Sequence, residues 1–279
     1  MSDFRVGVSS WTFAWALGVA GYEPVPHPLT VFDLVDKAAE LGAGVLQIAD
    51  NLPLSALSPG ELDLLGQRAL EKGLALEVGT RGLDPDNLFR YLEIAQRLGA
   101  KLVRTLPHNG RDRPDMKEAG RRLGAVLPAF EKAGVVLGVE NHDFYPAVWV
   151  RDLVQLFPDS ALGVCLDPVN NLGQGEGEGE VMAQLAPLAV NFHCKDYIIR
   201  RKPSMLGFDV EGAPLGQGML NLDRARALLP AGLSWVIELW TPWQGNIAAT
   251  LSLESLWAAE SVRMLHLRLG GRKSLKDSS

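Results

Sequence analysis

A chain of 279 residues and 30.3 kDa, 47% hydrophobic and 22% charged, with 29 glycines and 17 prolines, is long enough for one large α/β domain and too apolar for a disordered or fibrous protein. Its 27 Lys and Arg against 33 Asp and Glu leave a net charge of −6, which repels phosphate backbones and anionic lipid, so no nucleic-acid partner is expected. Two cysteines, Cys165 and Cys194, each inside an apolar run, exclude a disulfide framework; the N-terminus carries no basic leader and the run from Trp11 to Ala20 is too short to span a bilayer, so a cytoplasmic protein with no membrane partner is expected.

The first short apolar run, Arg5–Ser9, reads as a buried strand. Thr30–Leu41 then shows helical period in Leu34, Val35, Ala38 and Ala39, with Thr30 as N-cap and Gly42 as terminator. Strand Val45–Ala49 leads to a helix capped by Ser58 and closed by Gly73. Strand Leu74–Val78 leads to helix Asp84–Leu98, whose Leu88, Tyr91, Leu92 and Ala95 share a side and which Gly99 stops. Strand Leu102–Leu106, a helix ending at Gly134 and strand Val135–Glu140 continue the alternation. Strand Leu162–Asp167 runs into the acidic, low-complexity stretch Gly173 to Gly179, expected as a flexible loop, either a solvated spacer or a lid. Strand Val190–Lys195 precedes a basic, Gly-rich insertion from Arg200 to Gly218, and strand Trp235–Leu239 precedes a helix with Ser252 as its N-cap. Residues 1–270 are assigned to one domain and 271–279 to a polar, frayed tail.

Eight strand-helix repeats imply parallel strands with right-handed crossovers that close as a single (β/α)8 TIM barrel of the α/β class. A doubly wound sheet needs a phosphate-binding turn after an early strand, whereas the first strand here ends Ser9-Ser10-Trp11 with no GxGxxG or Walker pattern.

Active sites in such barrels lie at the C-terminal strand ends, and four successive strands end in ionisable residues: Val139-Glu140-Asn141-His142, Leu166-Asp167-Pro168, Phe192-His193-Cys194-Lys195 and Ile237-Glu238-Leu239. Alternation puts Gly138, Glu140 and His142 on one face, and Asn191, His193 and Lys195 on another, both expected to be the lumen. Cys165 shares the face of Asp167 while Cys194 opposes that of His193, so the thiols do not pair and read as structural. Glu140, Asp167, His193 and Glu238 form an oxygen-rich, one-nitrogen set suited to one divalent ion, Mn²⁺ or Mg²⁺ first and Zn²⁺ as an alternative. Carboxylates on adjacent strands need such a cation to neutralise them, whereas a single acid at a strand end reads as a wet-rim salt bridge.

The pieces Val-Glu-Asn-His, Cys-Leu-Asp-Pro and His-Cys-Lys-Asp, in this order, resemble the xylose isomerase-like TIM barrels, broadly sugar phosphate isomerases and epimerases, over nearly the whole chain. The resemblance implies a metal held by Glu140, Asp167, His193 and Glu238, with Glu140 and Glu238 also moving a proton, as in related ketose epimerases. The activity it implies is isomerisation or epimerisation of a keto-sugar, sugar phosphate or sugar acid through a metal-stabilised enediolate. Asn170 stands where many ketose 3-epimerases of the family carry a substrate-contacting His, and the absence of Asp-x-Asp near strand seven points to one metal rather than two. Five histidines are too few for the multi-zinc endonuclease branch. The stretches Ile48 to Leu54, Glu140-Asn141-His142-Asp143 and Met205-Leu206-Gly207-Phe208 resemble the subgroup containing 3-oxo-isoapionate decarboxylases, which makes a decarboxylase, or a dehydratase, the alternative on the same site.

Substrate-binding candidates are His142, Asn170, Lys195, Arg81, Arg104, Trp11 and Trp240, with Trp15 beside them. Each has a plainer reading: His142 as a structural histidine, the arginines as partners of nearby acids, the tryptophans as core, and Asp196 as a loop cap. The expected partner is a small-molecule carbohydrate, and the sequence permits a homo-oligomer. A catalytically idle barrel that binds a sugar or a protein is the alternative from outside enzymology.

Overall fold

The short apolar runs become strands because both of their faces are covered, by the barrel lumen on one side and by amphipathic helices on the other. The computed structural model describes residues 4–270; the expected tail, 271–279, lies outside the described residues. Within them, β1 (Arg5–Ser9), β2 (Val45–Ile48), β3 (Ala75–Arg81), β4 (Leu102–Leu106), β5 (Val136–Glu140), β6 (Leu162–Leu166), β7 (Ala189–Cys194) and β10 (Ser234–Ile237) pair in parallel and close in the order β1-β10-β7-β6-β5-β4-β3-β2. This is the (β/α)8 barrel. No helix of the described residues is long and apolar enough to cross a membrane.

The expected caps form. Thr30 with Asp33, and Ser58 with Glu61, make reciprocal capping boxes, Asp84 accepts from the Asn87 amide, and Gly99 and Gly134 end their helices in the left-handed conformation. Ser252 is a correction. The last helix spans Ile247–Gly270, Asn246 accepts from the Ala249 amide at its start, and Ser252 lies inside it, donating to the Ala248 carbonyl at 2.9 Å.

The Gly173–Gly179 stretch is a second correction, because it is tied down rather than a free loop. Asn170–Gln174 forms a 3-10 turn, and the Glu176 carboxylate accepts from the Ala147 amide at 2.9 Å and from Asn171 Nδ2 at 2.6 Å. An anion at the start of the Ala147–Gln155 helix satisfies donors that otherwise have no partner.

The insertion after β7 folds as an antiparallel hairpin, β8 (Asp196–Arg201) and β9 (Phe208–Ala213). Asp196 anchors its base by accepting from the amides of Tyr197, Gly216, Gly218 and Leu220 at 2.8–2.9 Å, which is the loop-capping role. Gly218 has to be glycine here, since a Cβ would collide with the Asp196 carboxylate. Arg201 stacks on Phe208, 4.2 Å from the ring centroid, and Arg200 is exposed, so neither lines the mouth cavity described below.

The ladder between β6 and β7 shifts register: Val164 faces Ala189, but Cys165 faces Asn191, so Val190 is extra. The Val190 side chain lies against Gly138 and Gly163, which have no Cβ to obstruct it.

Candidate metal centre and mouth pocket

Asp167, just past β6, has one carboxylate oxygen fixed and the other turned to the lumen. Its Oδ1 accepts from the amides of Val169 (2.8 Å) and Asn170 (3.0 Å), while Asn141 clasps its backbone, donating to the carbonyl at 2.6 Å and accepting from the amide at 2.9 Å. His193 from β7 is fully buried, and its Nδ1 stands 3.6 Å from Glu140 Oε2, 3.9 Å from Asp167 Oδ2 and 3.5 Å from Glu238 Oε1. No hydrogen bond satisfies that nitrogen.

A buried ring nitrogen facing three carboxylates without a hydrogen bond is the observation against which a divalent ion is tested. Donors sharing one small ion at about 2.1 Å sit roughly 3 to 3.5 Å apart, close to the spacing seen here. Asp167, His193 and Glu238 offer ligand atoms within 4.8 Å of one another, as do Glu140, Cys165 and His193. The donor set fits a divalent ion. Cys165 therefore sits beside the cluster, its Sγ 3.2 Å from His193 Nε2, and is more than the structural thiol that the sequence suggests; both cysteines are free, buried and shifted well up by that burial.

Two buried cations share the cluster. Arg104 from β4 binds the Glu140 carboxylate and, through Nη1, Asp50 Oδ1 at 2.5 Å; Arg81 from the end of β3 binds Asp50 Oδ2 at 2.8 Å. Lys195 Nζ lies 2.7 Å from Asp167 Oδ2 and 2.9 Å from Glu238 Oε2, and donates to Asn170 Oδ1 at 3.1 Å, while Asn170 Nδ2 donates to Glu140 Oε1 at 2.8 Å. The plainer reading of the arginines as partners of acids thus holds in part, but both also line the cavity.

Burial pushes the Glu140 carboxyl up, but the Arg104 and His193 charges outweigh it and hold the group well below its ordinary value. Glu238 is likewise lowered against burial, by His193 and Lys195. Lys195 is raised, because Asp167 and Glu238 overcome the burial that opposes its charge. Asp50 is lowered against burial by Arg104 and Arg81.

Above this layer opens a cavity of about 310 Å³ lined by Trp11, Arg81, Arg104, Glu140, His142, Asp143, Asn170, Lys195, Glu238, Leu239 and Trp240. Every expected substrate-binding residue lies on it, and Asp167 and His193 do not. A larger cavity of about 760 Å³ involves the other end of the barrel, where Arg5, Glu77 and Ser234 are among its walls; it contains none of the candidate ligands. Trp15 packs against Tyr22 and Trp243 and donates to the Thr241 carbonyl, so it supports the mouth from behind.

Asp50 and His108 escape the sequence reading of the site. Asp50 appeared only within a resemblance motif, although a polar residue just past an apolar strand was its signal. His108, after β4, is 4% exposed, has no hydrogen bond on either ring nitrogen and lies 5.5 Å from the His142 ring. Burial, with the His142 and Arg81 charges, pushes its pKa down to about 4, so it is neutral at physiological pH.

Residues 35–265 match the family described as Xylose isomerase-like TIM barrel. A 3-oxo-isoapionate decarboxylase of Pectobacterium atrosepticum is 36% identical over 266 residues, covering 94% of this chain and 95% of that protein. Among solved structures, D-psicose 3-epimerase in the presence of D-fructose superposes with a TM-score of 0.71 at 13% identity, over 96% of this chain and 100% of that one. A xylose isomerase-like TIM barrel protein from Mycobacterium smegmatis in complex with magnesium gives 0.64 at 17% identity, over 95% and 99%. At these identities the structures establish likeness of fold.

Proposed function

The chain belongs to the xylose isomerase-like TIM barrel family, and from that premise we propose that it is a divalent-metal-dependent decarboxylase of a 3-oxo sugar acid such as 3-oxo-isoapionate. The observation that carries the reading is the pairing of each pocket glutamate with a buried cation, Glu140 with Arg104 and Glu238 with Lys195. Carboxylates held below their ordinary pKa are weak bases for taking a proton from carbon. The same cations suit a substrate that arrives as an anion.

Charge points the same way. Glu140, Asp167, Glu238 and Asp50 are four carboxylates against the three cations Arg81, Arg104 and Lys195, so a dication leaves the inner site with one net positive charge. One carboxylate on the substrate balances it. Glu140, Asp167, His193 and Glu238 would hold the ion, which supplies electrophilic stabilisation of an oxyanion beside the reacting carbon.

In the proposed reaction the bond from carbon to carboxylate breaks, its electron pair passes into the neighbouring carbonyl to give an enediolate, and CO₂ leaves. The Lys195 ammonium then gives a proton to that carbon and is replenished from solvent. Its raised pKa keeps it protonated, and a carbanion is a far stronger base than the amine. Arg81 and Arg104 would grip the anionic end, Asn170 would hold Lys195 and Glu140 in place, and Trp11 and Trp240 would cover the sugar. This moves the proton-transfer role expected of Glu140 and Glu238 to Lys195.

A second reading, isomerisation or epimerisation, is favoured by Glu140 and Glu238 both reaching the cavity, from β5 and from just beyond β10. The deciding experiment incubates Mn²⁺- or Mg²⁺-supplemented protein with 3-oxo-isoapionate and with ketoses in D₂O. Release of one CO₂ per product, with deuterium at the former carboxylate-bearing carbon, is expected. Deuterium exchange into a ketose without CO₂ transfers the assignment to the second reading.

A further inference from the structure

Beneath His193 the barrel is filled by polar side chains that no step above uses. Gln47 on β2 is fully buried, and its Oε1 lies 2.9 Å from His193 Nε2. Its Nε2 donates to Glu77 Oε2 on β3 at 3.1 Å and to Asn191 Oδ1 at 3.3 Å. Asn191 Nδ2 donates to the same Glu77 oxygen at 3.0 Å and to Ser234 Oγ at 2.9 Å, and Ser234 closes the network on Glu77 Oε1. A carboxylate and two amides in a barrel interior are costly unless their hydrogen bonds are complete and serve a purpose.

The bonds in this network have a fixed polarity. Glu77 Oε2 only accepts, whether or not a proton lies between its Oε1 and Ser234, so it turns the NH₂ groups of both Gln47 and Asn191 toward itself. The Gln47 carbonyl oxygen must then face His193, and a carbonyl oxygen only accepts. His193 therefore donates from Nε2, and in the neutral ring the lone pair belongs to Nδ1, the nitrogen that faces Glu140, Asp167 and Glu238.

We propose that Gln47, oriented by Glu77, is a positioning residue that fixes the His193 ring and its tautomer so that Nδ1 is presented as a metal ligand. Metal-bound histidines generally have their second nitrogen engaged in this way, and loss of such a partner weakens metal binding by about 10- to 100-fold. The inference rests on the metal site alone and is independent of which substrate the protein uses.

The test uses the full chain, with Mn²⁺ and Zn²⁺ as probes. Calorimetric Kd values are measured for wild type, Gln47→Leu and the exchange variant Gln47→Glu/Glu77→Gln, which restores an acceptor beneath His193, and each fold is checked by metal-free melting temperature. Gln47→Leu is expected to bind Mn²⁺ about 10- to 100-fold more weakly, and the exchange variant to recover most of that loss. In ¹⁵N-histidine spectra of the Zn²⁺-loaded wild type, His193 is expected to carry its proton on Nε2. A proton on Nδ1 overturns the proposal even if the variants fail to fold, and so does wild-type affinity in a folded Gln47→Leu. A wild type that takes up neither ion refutes the metal reading itself, a result distinct from either of these.

Discussion

Lys195 Nζ lies 2.7 Å from Asp167 Oδ2, with both side chains buried, so an ammonium and a candidate metal ligand share one desolvated space. Removing the lysine strands negative charge where water cannot screen it. Breaking a buried pair from one side costs about 3 to 5 kcal/mol. Lys195→Met should therefore lower metal-free stability by that order in urea unfolding, and an added divalent ion should restore most of it. Turnover of a 3-oxo sugar acid should fall by at least about 100-fold even with the ion present; a variant that keeps near wild-type turnover removes Lys195 from the chemistry.

The four candidate ligands predict about one equivalent of divalent ion in gently purified protein. At about 100 times Kd, ligand binding stabilises the folded state by about 2.7 kcal/mol, so excess Mn²⁺ should raise the melting temperature of wild type. His193→Ala should abolish both the stoichiometric ion and the shift. Equal shifts in wild type and variant would place the ion elsewhere.

Asp50 accepts from Arg104 at 2.5 Å and from Arg81 at 2.8 Å, which keeps both guanidinium groups at the cavity wall. Asp50→Asn keeps the shape and removes the charge that orients them. The KM for an anionic substrate should rise about tenfold, equivalent to about 1.4 kcal/mol, with a smaller change in kcat. An unchanged KM would show that the arginines do not grip the substrate.

Glu254, on the last helix, accepts from the amides of Trp15 (2.7 Å) and Ala16 (3.0 Å), yet burial pushes its pKa up to about 7. With the folded pKa above the unfolded one, the folded state holds the extra proton between them. The contribution to stability is full below about pH 4.5 and is lost as pH rises through about 7. Relative to Glu254→Gln, wild type should lose up to about 3 kcal/mol across that window. Parallel stability profiles for the two proteins would show that Glu254 titrates normally.

The barrel and the position of its polar end were legible because the strands are short, apolar and bounded by caps, and because strand-end parity aims Glu140, His193 and Lys195 inward. Asp167 and Glu238 fall at the same level. What stayed hidden depends on distance across the lumen rather than along the chain. Gln47 and Glu77 each lie within an otherwise apolar strand, and only barrel closure brings them under His193. The hairpin was obscured because Ile199 and Val210 pair across strands that composition presents as a basic, Gly-rich loop. Ser252 misled as a cap because the anchors at that helix start, Glu23 and Asn246, are a side chain from far away and an asparagine nearly two turns earlier.

The extra residue in β7 sets the phase of everything after it. Val190 lies over Gly138 and Gly163, and Asn191, the next residue, also turns inward to bond Glu77 and Ser234. Two neighbours on one side reverse the odd-even count of the strand, so it enters the barrel in one frame and leaves in the other. Ironing out this irregular step with Val190 kept in the ladder would send Asn191, His193 and Lys195 outward together and bring Phe192 and Cys194 to the axis, whereas removing Val190 itself leaves Cys165 facing Asn191 and those faces as they are. With the bulge ironed out the interior would be greasy where it is now ionic, so one irregular pairing step, rather than the presence of one residue in the sequence, keeps the chemistry facing the lumen.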